Sequence, residues 1–131
     1  MTMPRILAAG FSVLLLIAAT PAFAQKPSAK SEPPYHGFWG SNAKACRDRD
    51  GVSRLEINPN GFYWYETRCK ASGIAPDGPR AWRMQLACEG EGEKFRARTR
   101  LTLPAPTRLV LHNGPVGQSK RDAYVRCGVP R

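Results

Sequence analysis

Histidine and acid are scarce in this chain, and both scarcities bear on chemistry. His36 and His112 are the only two histidines, and ten acidic residues face twenty basic ones. A nucleophilic triad needs a nucleophile, a base and an orienting carboxylate converging in space. No G-x-S-x-G segment marks a nucleophile elbow, so no acid–base constellation can be assembled and no catalytic residue is expected. Closely spaced cysteines are missing as well. Cys46, Cys69, Cys88 and Cys127 are separated by gaps of 22, 18 and 38 intervening residues. Zinc sites need C-x-x-C or H-x-x-x-H pairs, so this spacing argues against a metal, and no cofactor is expected. A long helical period is absent throughout, which excludes a bundle.

What is present begins at the first residues. Arg5 supplies a positive start, residues 6–19 form an uncharged apolar run, and Thr20-Pro21 breaks it. Ala22-Phe23-Ala24 then places small residues before Gln25, the pattern of a secretory signal peptide cleaved after Ala24. The run is too short to span a bilayer of about 30 Å. No cysteine follows it to take a lipid. The expected organisation is a signal peptide over 1–24, a flexible Pro-rich segment over 25–34, and one domain over 35–131. The mature chain would hold 131 − 24 = 107 residues with a net charge of 19 − 10 = +9. Four cysteines in an exported chain read as two disulfides formed in a periplasmic or secreted setting. The excess positive charge biases encounters toward anionic partners such as lipid headgroups, acidic glycans or nucleic acid. An exported location makes nucleic acid the least expected of these.

Alternation with period two runs through the domain and predicts about six strands. They cover 52–57, 62–69, 82–88, 95–103, 108–112 and 123–127. Ser41 to Cys46 suits one short helical turn with Ser41 as N-cap. Asn58-Pro59-Asn60-Gly61, the Gly- and Pro-rich stretch 70–80, the Glu89–Glu93 segment, 104–107 and Asn113-Gly114 are read as turns or loops. The fold class is therefore all-β, a small antiparallel barrel or sandwich with a short helical turn and two disulfides. Closing a barrel requires 123–127 to lie beside an early strand. Among the three connectivities open to four cysteines, this layout favours Cys46–Cys69 and Cys88–Cys127.

Three features merit a chemical reading. Glu89, Glu91 and Glu93 at one turn, and Asp48-Arg49-Asp50-Gly51, carry oxygen ligands but lack the rest of a calcium shell, so both read as turns. In the aromatic run, an inward Cys69 carries Tyr63, Tyr65 and Thr67 inward by alternation. Phe62 and Trp64 would then face outward with Glu66 and Arg68. The most distinctive candidate is Lys94, Arg96, Arg98 and Arg100. These project from one strand face opposite Phe95, Ala97, Thr99, Leu101 and Leu103, at alternate-residue spacing of about 6.8 Å. Such a ladder is the expected anion-binding site.

The frame Phe38-Trp39, Cys46, Cys69, Cys88-Glu89-Gly90-Glu91-Gly92 and Tyr124-Val125-Arg126-Cys127 resembles small exported two-disulfide β-barrel proteins of Gram-negative bacteria. More loosely, the architecture is similar to periplasmic barrels that inhibit lysozymes or secreted metalloproteases. The basic face and the lack of an acid–base constellation give, as the expected function, a non-enzymatic binding or structural module of the cell envelope. Its partner would be an anionic envelope component or, alternatively, a hydrolase. A basic inhibitor would be repelled by basic animal-type lysozymes, so an acidic hydrolase or protease is the better target.

Overall fold

The computed structural model describes Gly10 and residues 31–48, 50–117 and 119–128. Apart from Gly10, the expected signal peptide, its cleavage site and the first part of the Pro-rich segment lie outside the described residues. Ser31–Arg131 forms one compact unit.

Eight strands close into a barrel in chain order. They are β1 (Gly37–Gly40), β2 (Arg54–Asn58), β3 (Gly61–Tyr63), β4 (Thr67–Pro76), β5 (Ala81–Gly90), β6 (Glu93–Ala105), β7 (Arg108–His112) and β8 (Arg121–Arg126). Each pairs antiparallel with the next, and β1 pairs β8 through Trp39 opposite Arg126 and Gly40 opposite Val125. Closure pairs every strand on both sides over part of its length, while 70–76 of β4 and 93–99 of β6 run beyond the pairing with β3 and β7. A single 3-10 turn, Ala45–Arg47, sits between β1 and β2.

The count of eight corrects the expected six at two places. Gly37–Gly40 is too short to show alternation, and it is a strand because β2 and β8 flank it. The 62–69 segment is two strands, since Trp64 N–H donates to Thr67 C=O at 2.8 Å and reverses the chain at Tyr65-Glu66. Residues 70–76 belong to β4 rather than to a loop. Their side chains are mostly exposed, so they carry no burial signal, and backbone pairing with β5 holds them. A bulge between Ser72 and Ala75 absorbs the irregularity at Gly73, whose φ is 59°. Pro104 likewise falls in a register shift of β6 and does not end it. The helical turn begins at Ala45 with Lys44, not Ser41, at the N-cap and no side-chain cap from it, and Asn42 Oδ1 accepts from Ala45 N–H at 2.8 Å.

The core lines the barrel interior. Trp39, Leu55, Ile57, Phe62, Leu86, Leu101, Leu103, Leu109 and Leu111 are almost fully buried. Each such side chain stabilises the fold by about 1.5–3 kcal/mol relative to exposure. Near the end of β8, Arg126 lays its guanidinium 4.2 Å above the Trp39 ring. It donates to the carbonyls of Pro34, His36 and Pro106, which binds the segment before β1 and the β6–β7 turn into one cap. Burial lowers the pKa of this arginine. Toward the start of β8, Trp64 Nε1 donates to the Tyr124 hydroxyl at 3.2 Å.

The cysteines are all paired, but as Cys46–Cys127 and Cys69–Cys88. The expected Cys46–Cys69 and Cys88–Cys127 pairing is overturned by strand register. Cys69 and Cys88 stand directly opposite each other on β4 and β5, with Cα atoms 4.0 Å apart. Cys127 extends the β8–β1 seam, its N–H donating to Phe38 C=O at 2.8 Å, and Cys46 folds back over that seam. Gly40 makes the room, because a Cβ there would stand 2.9 Å from Cys46 Sγ.

Candidate functional site

The basic ladder lies where alternation puts it. Lys94, Arg96, Arg98 and Arg100 are exposed along β6, while Thr99, Leu101 and Leu103 are buried and Phe95 and Ala97 are partly so. Register then places the ladder within a wider face. Glu89, Ala87, Gln85 and Arg83 of β5 stand opposite Lys94, Arg96, Arg98 and Arg100 in turn. On the far side of β5, Arg68, Lys70 and Ser72 of β4 stand opposite Glu89, Ala87 and Gln85. Directly opposed side chains on neighbouring strands share a face about 5 Å apart, so these rows run across three strands.

Acidic residues neutralise the two ends of this face. Glu89 accepts from Arg68 Nη2 at 2.9 Å and lies 3.4 Å from Lys94 Nζ. Hydrogen bonding to Arg68 first, and then to Lys94, holds the Glu89 carboxyl below its ordinary range. At the other end Asp77 pairs with Arg100 at 2.8 Å and Arg83 at 3.4 Å. The middle is different. Lys70, Arg96 and Arg98 have no carboxylate within ion-pair distance, although all ten acidic residues are among those described.

A groove of about 650 Å³ opens beside this middle. Tyr63 and Arg68, Lys70 and Ala87, and Lys94 and Arg96 line it in pairs, with Glu89 between the outer cations. Ala87 is its low point, because the small side chain stands between Lys70 and Arg96 on the same row. Sequence reasoning missed Arg68 and Lys70 as members of the face. With 70–80 read as a loop, nothing aligned β4 beside β5.

The other candidates separate from this face or take ordinary structural parts. The aromatic expectation is reversed for four residues. Phe62 is buried and Trp64 packs on the core, while Tyr63 lies opposite outward Arg68 and Tyr65 is 61% exposed. The turn at Tyr65-Glu66 breaks the alternation that had linked them to Cys69. Glu91 and Glu93 are solvent-exposed at the β5–β6 turn, and Glu89 is engaged by its cations. Asp48 Oδ1 accepts from Asp50 N–H at 3.1 Å, an Asx turn. His36 Nδ1 lies 3.0 Å from Glu32, and His112 stands opposite Arg100 and Arg121. Among the described residues, no three His, Cys, Asp or Glu side chains group as a metal site. No described helix is long and apolar enough to cross a membrane. No family model, no curated protein and no solved structure matches this chain.

Proposed function

We propose that the chain is an exported, disulfide-stabilised binding module of the cell envelope, without enzymatic activity, that contacts anionic ligands through the outer face of β4–β6. One observation carries this reading. Lys70, Arg96 and Arg98 stand exposed on adjoining rows with no acid to neutralise them. A face shaped only for solubility gains from interspersed signs, whereas an uncompensated cluster raises the local concentration of anions. Each exposed contact contributes about 0–1 kcal/mol and is screened by salt, so binding is multivalent and salt-dependent. Two disulfides fit an oxidising compartment, and the signal-like segment supports delivery there.

Retention on a heparin-like resin tests the face. The variant Arg96→Gln/Arg98→Gln/Arg100→Gln is expected to elute at clearly lower salt than the parent, with Arg96 and Arg98 giving most of the change. Equal elution would reduce the face to a soluble surface. Export is tested separately by the intact mass of the protein recovered outside the cytoplasm. A chain starting at Gln25 is expected, and one retaining Met1 would refute cleavage.

A further inference from the structure

We infer that the groove floored by Ala87 is a binding site for a phosphate monoester carried on a sugar-sized alcohol, held between β4 and β6. The inference rests on the anion-binding reading of this face and narrows it from polyanions in general to one compact dianion. Three features point the same way.

The first is convergence. Lys70 and Arg96 flank Ala87 on one row, each about 5 Å away across a strand. Arg68 and Lys94 flank Glu89 on the next row. Two unpaired cations thus flank one low point, and two more stand on the next row, engaged by Glu89 between them. A linear polyanion would favour cations spread evenly along β6, but Lys94 and Arg100 at the ladder ends are engaged by carboxylates. The unsatisfied cations that line the groove, Lys70 and Arg96, face each other across β5, and Arg98 lies one row further along β6.

The second is valence. A phosphate monoester carries about −1.5 to −2 charges at pH 7 and three strong acceptor oxygens. Arginine's fork presents two parallel donors to such oxygens, and lysine adds a point charge. Arg96 and Lys70 supply one of each, from opposite walls. The third is volume. About 650 Å³ exceeds what one phosphate fills, and Tyr63 in the lining offers an apolar wall to the carrying alcohol.

The groups facing the site are Tyr63 on β3, Arg68 and Lys70 on β4, Glu89 on β5, and Lys94 and Arg96 on β6. Glu89 is held in its charged form by Arg68 and Lys94. His112 is opposite Arg100, four residues along β6 from Arg96 and roughly 13 Å away by strand rise. The ligand's own second ionisation, near about pH 6, therefore sets the pH dependence of binding.

Calorimetric titration of the oxidised protein with glucose 6-phosphate, against glucose 6-sulfate, tests the idea. The phosphate is expected to bind more tightly at neutral pH and to weaken roughly tenfold as pH falls through its second ionisation, while the monoanionic sulfate stays weak and flat. Lys70→Gln and Arg96→Gln should each weaken phosphate binding several-fold. Ala87→Ile fills the floor without changing charge and suits a strand. It should abolish phosphate binding yet elute from heparin-like resin with the parent. A parallel arm uses phosphatidylcholine vesicles doped with phosphatidic acid; binding there alone, lost in Ala87→Ile, would assign the monoester to a lipid headgroup. Equal affinity for sulfate and phosphate would overturn the inference. So would unchanged binding of both phosphate sources by Ala87→Ile. In either case, normal heparin retention would leave the broader anion-binding reading standing. Absence of retention by the parent itself would defeat that reading too.

Discussion

Asp122 is a carboxylate in an unfavourable place. It stands opposite buried Leu111, and its Oδ2 is shielded from solvent with no hydrogen-bond partner among the described residues. Burial raises its pKa and contributes, through its charge, to raising that of Tyr124, where burial is the larger cause. The sign of the linkage follows. A carboxyl whose folded pKa lies above its unfolded one penalises the folded state when ionised. That penalty is absent at pH values below the ordinary carboxylate range, grows as pH rises toward the folded pKa, and is full above it. Asp122→Asn is therefore expected to raise the unfolding free energy at neutral pH, read by denaturant titration, by on the order of 1 kcal/mol. In acid the variant and parent should converge. A variant less stable than the parent at neutral pH would show that the ionised carboxylate has a stabilising partner.

At the scale of elements, the β4–β5 hairpin decides most of what the sequence concealed. Cys69 lies nine residues before Gly78, and Cys88 nine after Pro79. A regular hairpin centred between them would set those cysteines face to face, but the observed turn is centred on Pro79, and the bulge between Ser72 and Ala75 supplies the one-residue offset that pairs Cys69 with Cys88. Glycine, proline and exposed small residues masked the hairpin by resembling a loop. The same masking hid Lys70 from the basic face. By contrast β6 was legible, because its inward Phe95, Ala97, Thr99, Leu101 and Leu103 alternate strictly with charge. The aromatic run misled for the opposite reason: Phe62 to Tyr65 has strand composition throughout, and only the backbone reveals the reversal at Tyr65-Glu66. The two disulfides close loops of very different length, with separations of 81 and 19 residues. By chain entropy, Cys46→Ala/Cys127→Ala should destabilise the domain by about 4–5 kcal/mol and Cys69→Ala/Cys88→Ala by about 3 kcal/mol. Guanidinium unfolding of the two variants checks the order. A reversed order would place substantial structure around Cys46 and Cys127 in the unfolded chain.

The whole molecule combines a meander with one distant seam. All but one of its strand pairings join neighbours in sequence, so an antiparallel barrel or sandwich could be read from successive hairpins alone. Its closure could not, since β1 has four residues and two glycines and pairs with β2 and β8 on either side. The functional face depends on that closure only indirectly. It is built on the longest strands, β4, β5 and β6, whose pairing supplies a rigid, gently twisted platform for the cations. Rigidity keeps the unsatisfied charges of Lys70 and Arg96 apart from Glu89 and Asp77, which are already engaged at the ends of the face.

The seam has a temporal side. Trp39 and Arg126 meet across 87 steps of chain, whereas the hairpins from β2 to β7 each close over a few residues. Non-local pairings slow folding, because loop closure must be met before contacts reward it. The Cys46–Cys127 link removes much of that search in an unfolded but oxidised chain, holding the two ends of the barrel near each other before any strand forms. Oxidised protein diluted from denaturant should therefore regain its tryptophan signal faster than the Cys46→Ala/Cys127→Ala variant, with unfolding rates changed less. Stopped-flow fluorescence measures both. Equal refolding rates would mean that the seam forms after the rate-limiting step, and the bond would then act as a lock on the finished barrel and not as a guide to it.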